Sequence, residues 1–200
     1  MSKEKVTDIF IAGLLKDVKI KYVPEEGINK EVKKALKSAS KKGTGKHGFP
    51  EFTAQAKDFI FVIEDKANLN KQALFDDEEK SILSMKQKAI QDYALNGALH
   101  YAQIIIKETN FKKVFAFGCS GDEKHHQITP MFVNSEKYEI LPEIENFENF
   151  TEQNITQYYK EQILKERSEE EEEILSLCDK SKFLHEALRN YGQIGKQKSL

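Results

Sequence analysis

The sequence predicts an α/β (α+β) fold, a mixed central sheet flanked by helices with a C-terminal helical extension, and three observations carry that prediction. Phe59-Ile-Phe-Val-Ile63 is an unbroken apolar run rich in β-branched and aromatic residues, the pattern of a strand buried on both faces. Val114-Phe-Ala-Phe-Gly118 repeats it. Between them Ile90, Tyr93, Ala94, Gly97, Ala98, Tyr101, Ala102 and Ile105 recur at i, i+3, i+4, the spacing of one helix face. Strands and helices of this kind are stable only when layered on one another.

Along the chain, Ile9, Phe10, Ala12, Leu14 and Leu15 suggest a first helix over residues 6–18, followed by a short strand near residues 19–23. Asn29 is an N-cap candidate for a helix over residues 30–40, with Val32, Ala35, Leu36 and Ala39 on its apolar side. Residues 68–80 are polar and read as a loop that orders over a substrate. The helix carrying Ile90 and Tyr101 is expected to span residues 78–108, with small residues that let it lie close to a sheet. Residues 128–133 return as a third strand after the turn signal Ser120-Gly-Asp122. From Glu143 to Asp179 there are twelve acids against three basic residues, so a boundary is placed at residues 140/141, between a domain at 1–140 and an acidic helical connector at 141–200. The helical tail stops without forming a further unit, and the chain is expected to be a fragment of a longer one.

Composition narrows the function classes. The 200 residues are 39% hydrophobic and 32% charged with a net charge of -2, the balance of a chain that builds its own core. No stretch nears the ~20 apolar residues of a membrane span, and the start lacks the apolar core of a signal peptide, so a cytoplasmic protein without membrane contact is expected. Cys119 and Cys178 are distant in sequence and supply no disulfide framework or thiolate zinc site. The near-neutral total hides an uneven spread: seven lysines stand between Asn29 and Phe49 against one acid. Lys33, Lys34, Lys37, Lys41, Lys42 and Lys46 are candidates for salt-sensitive contacts to a phosphate backbone, and a solvated helix face is an equally good reading of the same charges.

The chemistry concentrates where the first buried strand ends in Glu64, Asp65 and Lys66. Alternation along a strand sends Glu64 and Lys66 to one face and Asp65 to the other. Glu51 lies thirteen residues earlier, and a hairpin or adjacent strand brings its carboxylate beside Glu64. Glu51, Glu64 and the backbone carbonyl of Asp65 offer hard oxygen ligands for Mg²⁺, with Mn²⁺ able to substitute. Lys66 beside them can stabilise a nucleophile or the charge developing on a phosphate oxygen. These are the parts phosphodiester hydrolysis requires.

Pro50-Glu51 and Glu64-Asp65-Lys66 resemble the paired motifs of the PD-(D/E)XK nucleases, the fold of many restriction endonucleases, with Glu in place of the usual first Asp. The resemblance implies a restriction-endonuclease-like core, Mg²⁺ held by Glu51 and Glu64, and Lys66 serving the attacking water. It also implies an accessory acid on the preceding helix, for which Glu31 is the candidate, and a glutamine on the following helix. The family's Gln-x-x-x-Tyr spacing is absent, which leaves Gln87 and Gln91 as alternatives. Residues 39–52 and 93–101 resemble the amino-terminal nuclease region of single-chain (type IIG, type I-like) restriction-modification enzymes, and residues 184–192 their helical connector. That implies double-stranded DNA as substrate, methyltransferase and target-recognition domains in the same longer chain, and a transient dimer for double-strand cleavage. No S-adenosylmethionine motif occurs in these residues, so that cofactor would enter only through a following domain.

Simpler readings stand beside these. Glu31 reads first as a surface residue, His47, His125 and His126 as loop residues, His100 and Tyr101 as packed helix residues, and Cys119 as a small buried side chain. The alternative to a nuclease is a catalytically silent nuclease-fold module that binds DNA or partners. The joint presence of Glu51, Glu64 and Lys66 favours the enzyme.

Overall fold

The two apolar runs lie side by side and parallel at the centre of a six-stranded sheet in the computed structural model, which describes residues 3–43, 47–166 and 169–197. The chain runs through α1 (Lys3–Asp17), β1 (Tyr22–Pro24), α2 (Lys30–Ala35), β2 (Phe52–Ala56) and β3 (Phe59–Lys66). It continues with α3 (Gln87–Asp92), α4 (Ala94–Glu108), β4 (Val114–Gly121), β5 (His126–Val133), β6 (Tyr138–Ile140), α5 (Ile155–Gln162) and α6 (Glu169–Gln197). The strands are ordered β1 to β6, and every neighbouring pair is antiparallel except β3 with β4. The parallel pair needs a crossover, and α3 and α4 supply it. This is the expected α+β arrangement, a mixed sheet flanked by helices.

The two faces of the sheet are packed differently. On one, Ile60, Val62, Val114 and Ala116 meet Val32 and Leu36 of the α2 region and Leu95, Ala98, Leu99 and Ala102 of α4. Gly118 lets α4 approach, since a Cβ there would lie 2.6 Å from the Leu95 nitrogen. On the other, Phe61, Phe115 and Phe117 pack against Phe147 and Phe150 in edge-to-face pairs, such as Phe117 with Phe150 at 4.8 Å between ring centres. Phe147, Phe150 and Ile155 are fully buried. Residues 141–156, expected in the acidic extension, therefore belong with the sheet: contacts divide the chain into Met1–Thr156 and Gln157–Leu200.

Three other expectations shift. The single helix over residues 78–108 is two, because Tyr93 is extended (φ -122°, ψ 136°) and the Leu95 N–H donates to the Gln72 carbonyl at 2.9 Å. The loop before α3 is tied down by Asn96, whose amide bonds the main chain of Leu74 and Ser84. In α1 the buried row is Thr7, Ile11 and Leu15, one residue per turn, while Val6 and Ile9 are exposed. Apolar residues all round α1 concealed which side faces inward. The Asn29 cap holds as read, its side chain accepting from the Val32 N–H.

No helix among the described residues is long and apolar enough to cross a membrane.

Candidate active site

The β2–β3 hairpin pairs Phe52 with Ile63, so Glu51, one residue before β2, stands beside Glu64 at the end of β3. The Glu51 carbonyl accepts from the Glu25 N–H at 3.0 Å, which fixes this lead-in to the sheet. Glu64 is fully buried and points to the α4 side together with Lys66, whose Nζ is 3.9 Å from Glu64 Oε2. Asp65 is buried on the opposite side.

Carboxylates crowd this end of the strand. The Glu51 carboxyl is pushed up to about 7, first by burial and then by the negative charges of Glu64 and Asp8, against the pull of Lys66 and Lys41. Asp65 is raised by burial and by the charge of Asp8, whose carboxyl faces it at hydrogen-bonding range, with smaller contributions from Glu51 and Glu64. Four carboxyl groups (Asp8, Glu51, Glu64, Asp65) thus stand against two ammonium groups (Lys41, Lys66). Glu64 Oε1 and Asp65 Oδ2 are buried without a hydrogen-bond partner among the described residues. An excess of negative charge and an orphaned carboxylate oxygen fit a hard divalent cation, which takes one or two carboxylates and keeps waters for the remaining positions. No cluster of three or more His, Cys, Asp or Glu side chains at metal-holding spacing occurs among the described residues.

Two residues enter the site that the sequence did not mark for it. Lys41, counted above among DNA-facing lysines, places its Nζ on Glu64 Oε2 and 5.3 Å above the Tyr101 ring. Asp8 comes from α1, more than forty residues before Glu51 in sequence. Tyr101 is buried beside the acids; burial, Glu64 and Glu51 push its phenol strongly upward, so it stays protonated. His100 Nε2 lies 3.1 Å from the Ala39 carbonyl, and burial lowers its affinity for a proton.

The accessory candidates are distributed. Glu31 accepts from the Asn110 N–H at 2.6 Å, and it is not among the charges acting on Glu51 or Asp65. Gln91 donates to the Lys41 carbonyl at 3.2 Å and, with Lys66, Asn68, Lys71 and Asp92, lines a cleft of about 290 Å³ next to the site. Gln87 lies near Gly43. Lys33, Lys34, Lys37 and Lys42 are exposed, Lys33 pairing with Glu26, and Lys46 lies outside the described residues. Cys119 is buried with its thiol pushed well up by burial, an inert packing residue as read. His126 differs from its loop reading: it opens β5, with its ring 4.7 Å from that of Phe10.

Over 201 aligned residues the chain is 36% identical to the Type II restriction enzyme and methyltransferase RM.BcgI of Heyndrickxia coagulans, an alignment covering 99% of this chain and 31% of that relative. The chain therefore spans about a third of the length of the curated relative it matches. No protein-family model and no solved structure matches it.

Proposed function

We propose that this chain is a Mg²⁺-dependent DNA endonuclease module of the PD-(D/E)XK type, the cleaving part of a restriction-modification enzyme. The observation that carries the reading is the convergence of Glu51, Glu64 and Lys66 at one strand end with an unpartnered carboxylate oxygen. Similarity along nearly the whole chain to a protein named as a restriction enzyme and methyltransferase supports it.

In this reading Glu51, Glu64 and the Asp65 carbonyl hold the ion. Bound there, Mg²⁺ supplies Lewis-acid polarisation of the phosphate and charge to offset the carboxylates. Lys66 orients the attacking water and stabilises the charge that develops as a bond from water oxygen to phosphorus forms and a phosphoester bond breaks. Gln91 and the cleft beside it position the strand. The exposed lysines of the α2 region add sequence-independent affinity for the phosphate backbone. Base recognition and methylation are assigned to other parts of a longer chain, and cutting both strands to the pairing of two such modules, since each supplies one site.

Supercoiled plasmid incubated with the protein and Mg²⁺ tests the proposal. Nicking or linearisation that EDTA stops and Lys66→Ala removes is expected. No cleavage by the chain in its full-length context, or equal cleavage by the variant, overturns it.

A further inference from the structure

We propose that Lys41 is a displaceable counter-ion of the metal-holding carboxylate: it covers Glu64 in the free protein and gives way to a divalent cation, which releases its ammonium to a phosphate of the bound DNA. The inference rests on the reading above in taking Glu64 as a carboxylate that holds the metal.

Lysines are ordinarily surface residues, yet the Lys41 side chain is only 15% exposed. Its place is built into the backbone. The Ala39 carbonyl is held by His100 and the Lys41 carbonyl by Gln91. Gly48 closes the base of the loop, where a Cβ would stand 2.4 Å from the Ala39 oxygen. Gly97 of α4 leaves room for the ion pair itself: a Cβ there would lie 3.2 Å from Lys41 Nζ and 3.3 Å from Glu64 Oε2. The Tyr101 ring below adds a cation–π contact that shields the ammonium from water.

The same geometry says which amine must leave. A divalent ion held by Glu51 and Glu64 together with the two ammonium groups would crowd four positive charges against these two carboxylates, and like charges at such range repel strongly in a partly buried site. Lys66 belongs to β3 and is fixed by the sheet. Lys41 sits in a turn, between exposed Lys42 and partly exposed Ser40 and just before Gly43 at φ +64°, with a four-carbon stem free to swing toward solvent. Exposed Lys37 and Lys42 mark that outer side as the one a phosphate backbone would approach.

Calorimetric titration of Mn²⁺ into this chain without DNA tests the exchange, using wild type, Lys41→Met, Lys41→Gln, Lys41→Arg and Glu64→Gln. Removing the competing charge should tighten Mn²⁺ binding about fivefold or more in Lys41→Met and Lys41→Gln. Lys41→Arg should stay near wild type, and Glu64→Gln should lose the site. A lysine that merely supports the structure would leave Mn²⁺ affinity unchanged or weaken it when removed, and that result, in variants with an unchanged melting temperature, overturns the proposal. If Mn²⁺ binding ignores Glu64→Gln, the metal-site reading itself fails, and the exchange falls with it.

Discussion

Glu64 and Asp65 are neighbours in sequence and both are buried, yet they meet opposite surroundings. Glu64 faces the aliphatic side, where α4 is built of small residues and comes close enough to hold Tyr101, Gly97 and Lys41 around the carboxylate. Asp65 faces the side filled by phenylalanines and by α1, where the carboxyl it meets is that of Asp8. One side of the strand therefore sets its carboxylate against amines; on the other, burial and the facing Asp8 raise the affinity of Asp65 for a proton. The contrast teaches that a buried carboxylate becomes chemically useful where small residues let cations and substrate reach it, while a rigid aromatic layer gives the strand its stability.

The largest effect expected from this comparison is catalytic. Lys66→Ala or Glu64→Gln should lower plasmid cleavage roughly a thousandfold or more with circular dichroism unchanged. A loss under tenfold in steady-state assays would break the distinction between the faces. Phe117→Ala, on the aromatic side, should instead cost about 3–5 kcal/mol of stability in urea denaturation. Fully folded Phe117→Ala protein should retain cleavage.

Protonation offers a finer test. Glu51 and Asp65 bind a proton more tightly folded than unfolded, so their contribution to stability is fully present at low pH and is lost as pH rises, for Glu51 between 4.5 and about 7. Asp65→Asn removes one of the two acids, and its melting temperature should exceed wild type by about 2–4 °C at pH 8 and match it at pH 4. Equal melting curves at both pH values would remove Asp65 from the account. The smallest effects belong to the periphery. Glu31→Gln should leave cleavage within about twofold, since a carboxyl bonded to the Asn110 N–H acts on the α2–α4 junction. Each of Lys34→Ala and Lys37→Ala should reduce the salt slope of DNA binding by about 0.9 if it loses a phosphate contact.

Much of this was legible in the sequence. The two buried strands, the Asn29 cap and the side-by-side placement of Glu51 and Glu64 follow from local pattern and strand alternation. Lys41 was visible only as one lysine among seven, because its burial depends on how Gly48 and Ala39 close a loop and on the space Gly97 leaves, and none of these is a local signal. Asp8 lies on a helix whose apolar residues surround it, so no periodicity pointed its acidic side inward. Phe147 and Phe150 were masked by the acids between and beside them, although their burial shows that two aromatics can outweigh an acidic composition. Tyr93 carries no breaker signal, and the interruption it makes goes with the Gln72 carbonyl, which takes the Leu95 N–H in the first turn of α4.

The most direct measurement is an anomalous diffraction map of crystals of this chain grown with Mn²⁺. The account predicts a peak between the carboxylates of Glu51 and Glu64 at bonding distance, with Lys41 Nζ moved off Glu64 Oε2. A peak confined to the Asp8 and Asp65 side of β3, or none near Glu64 at saturating Mn²⁺, would contradict it.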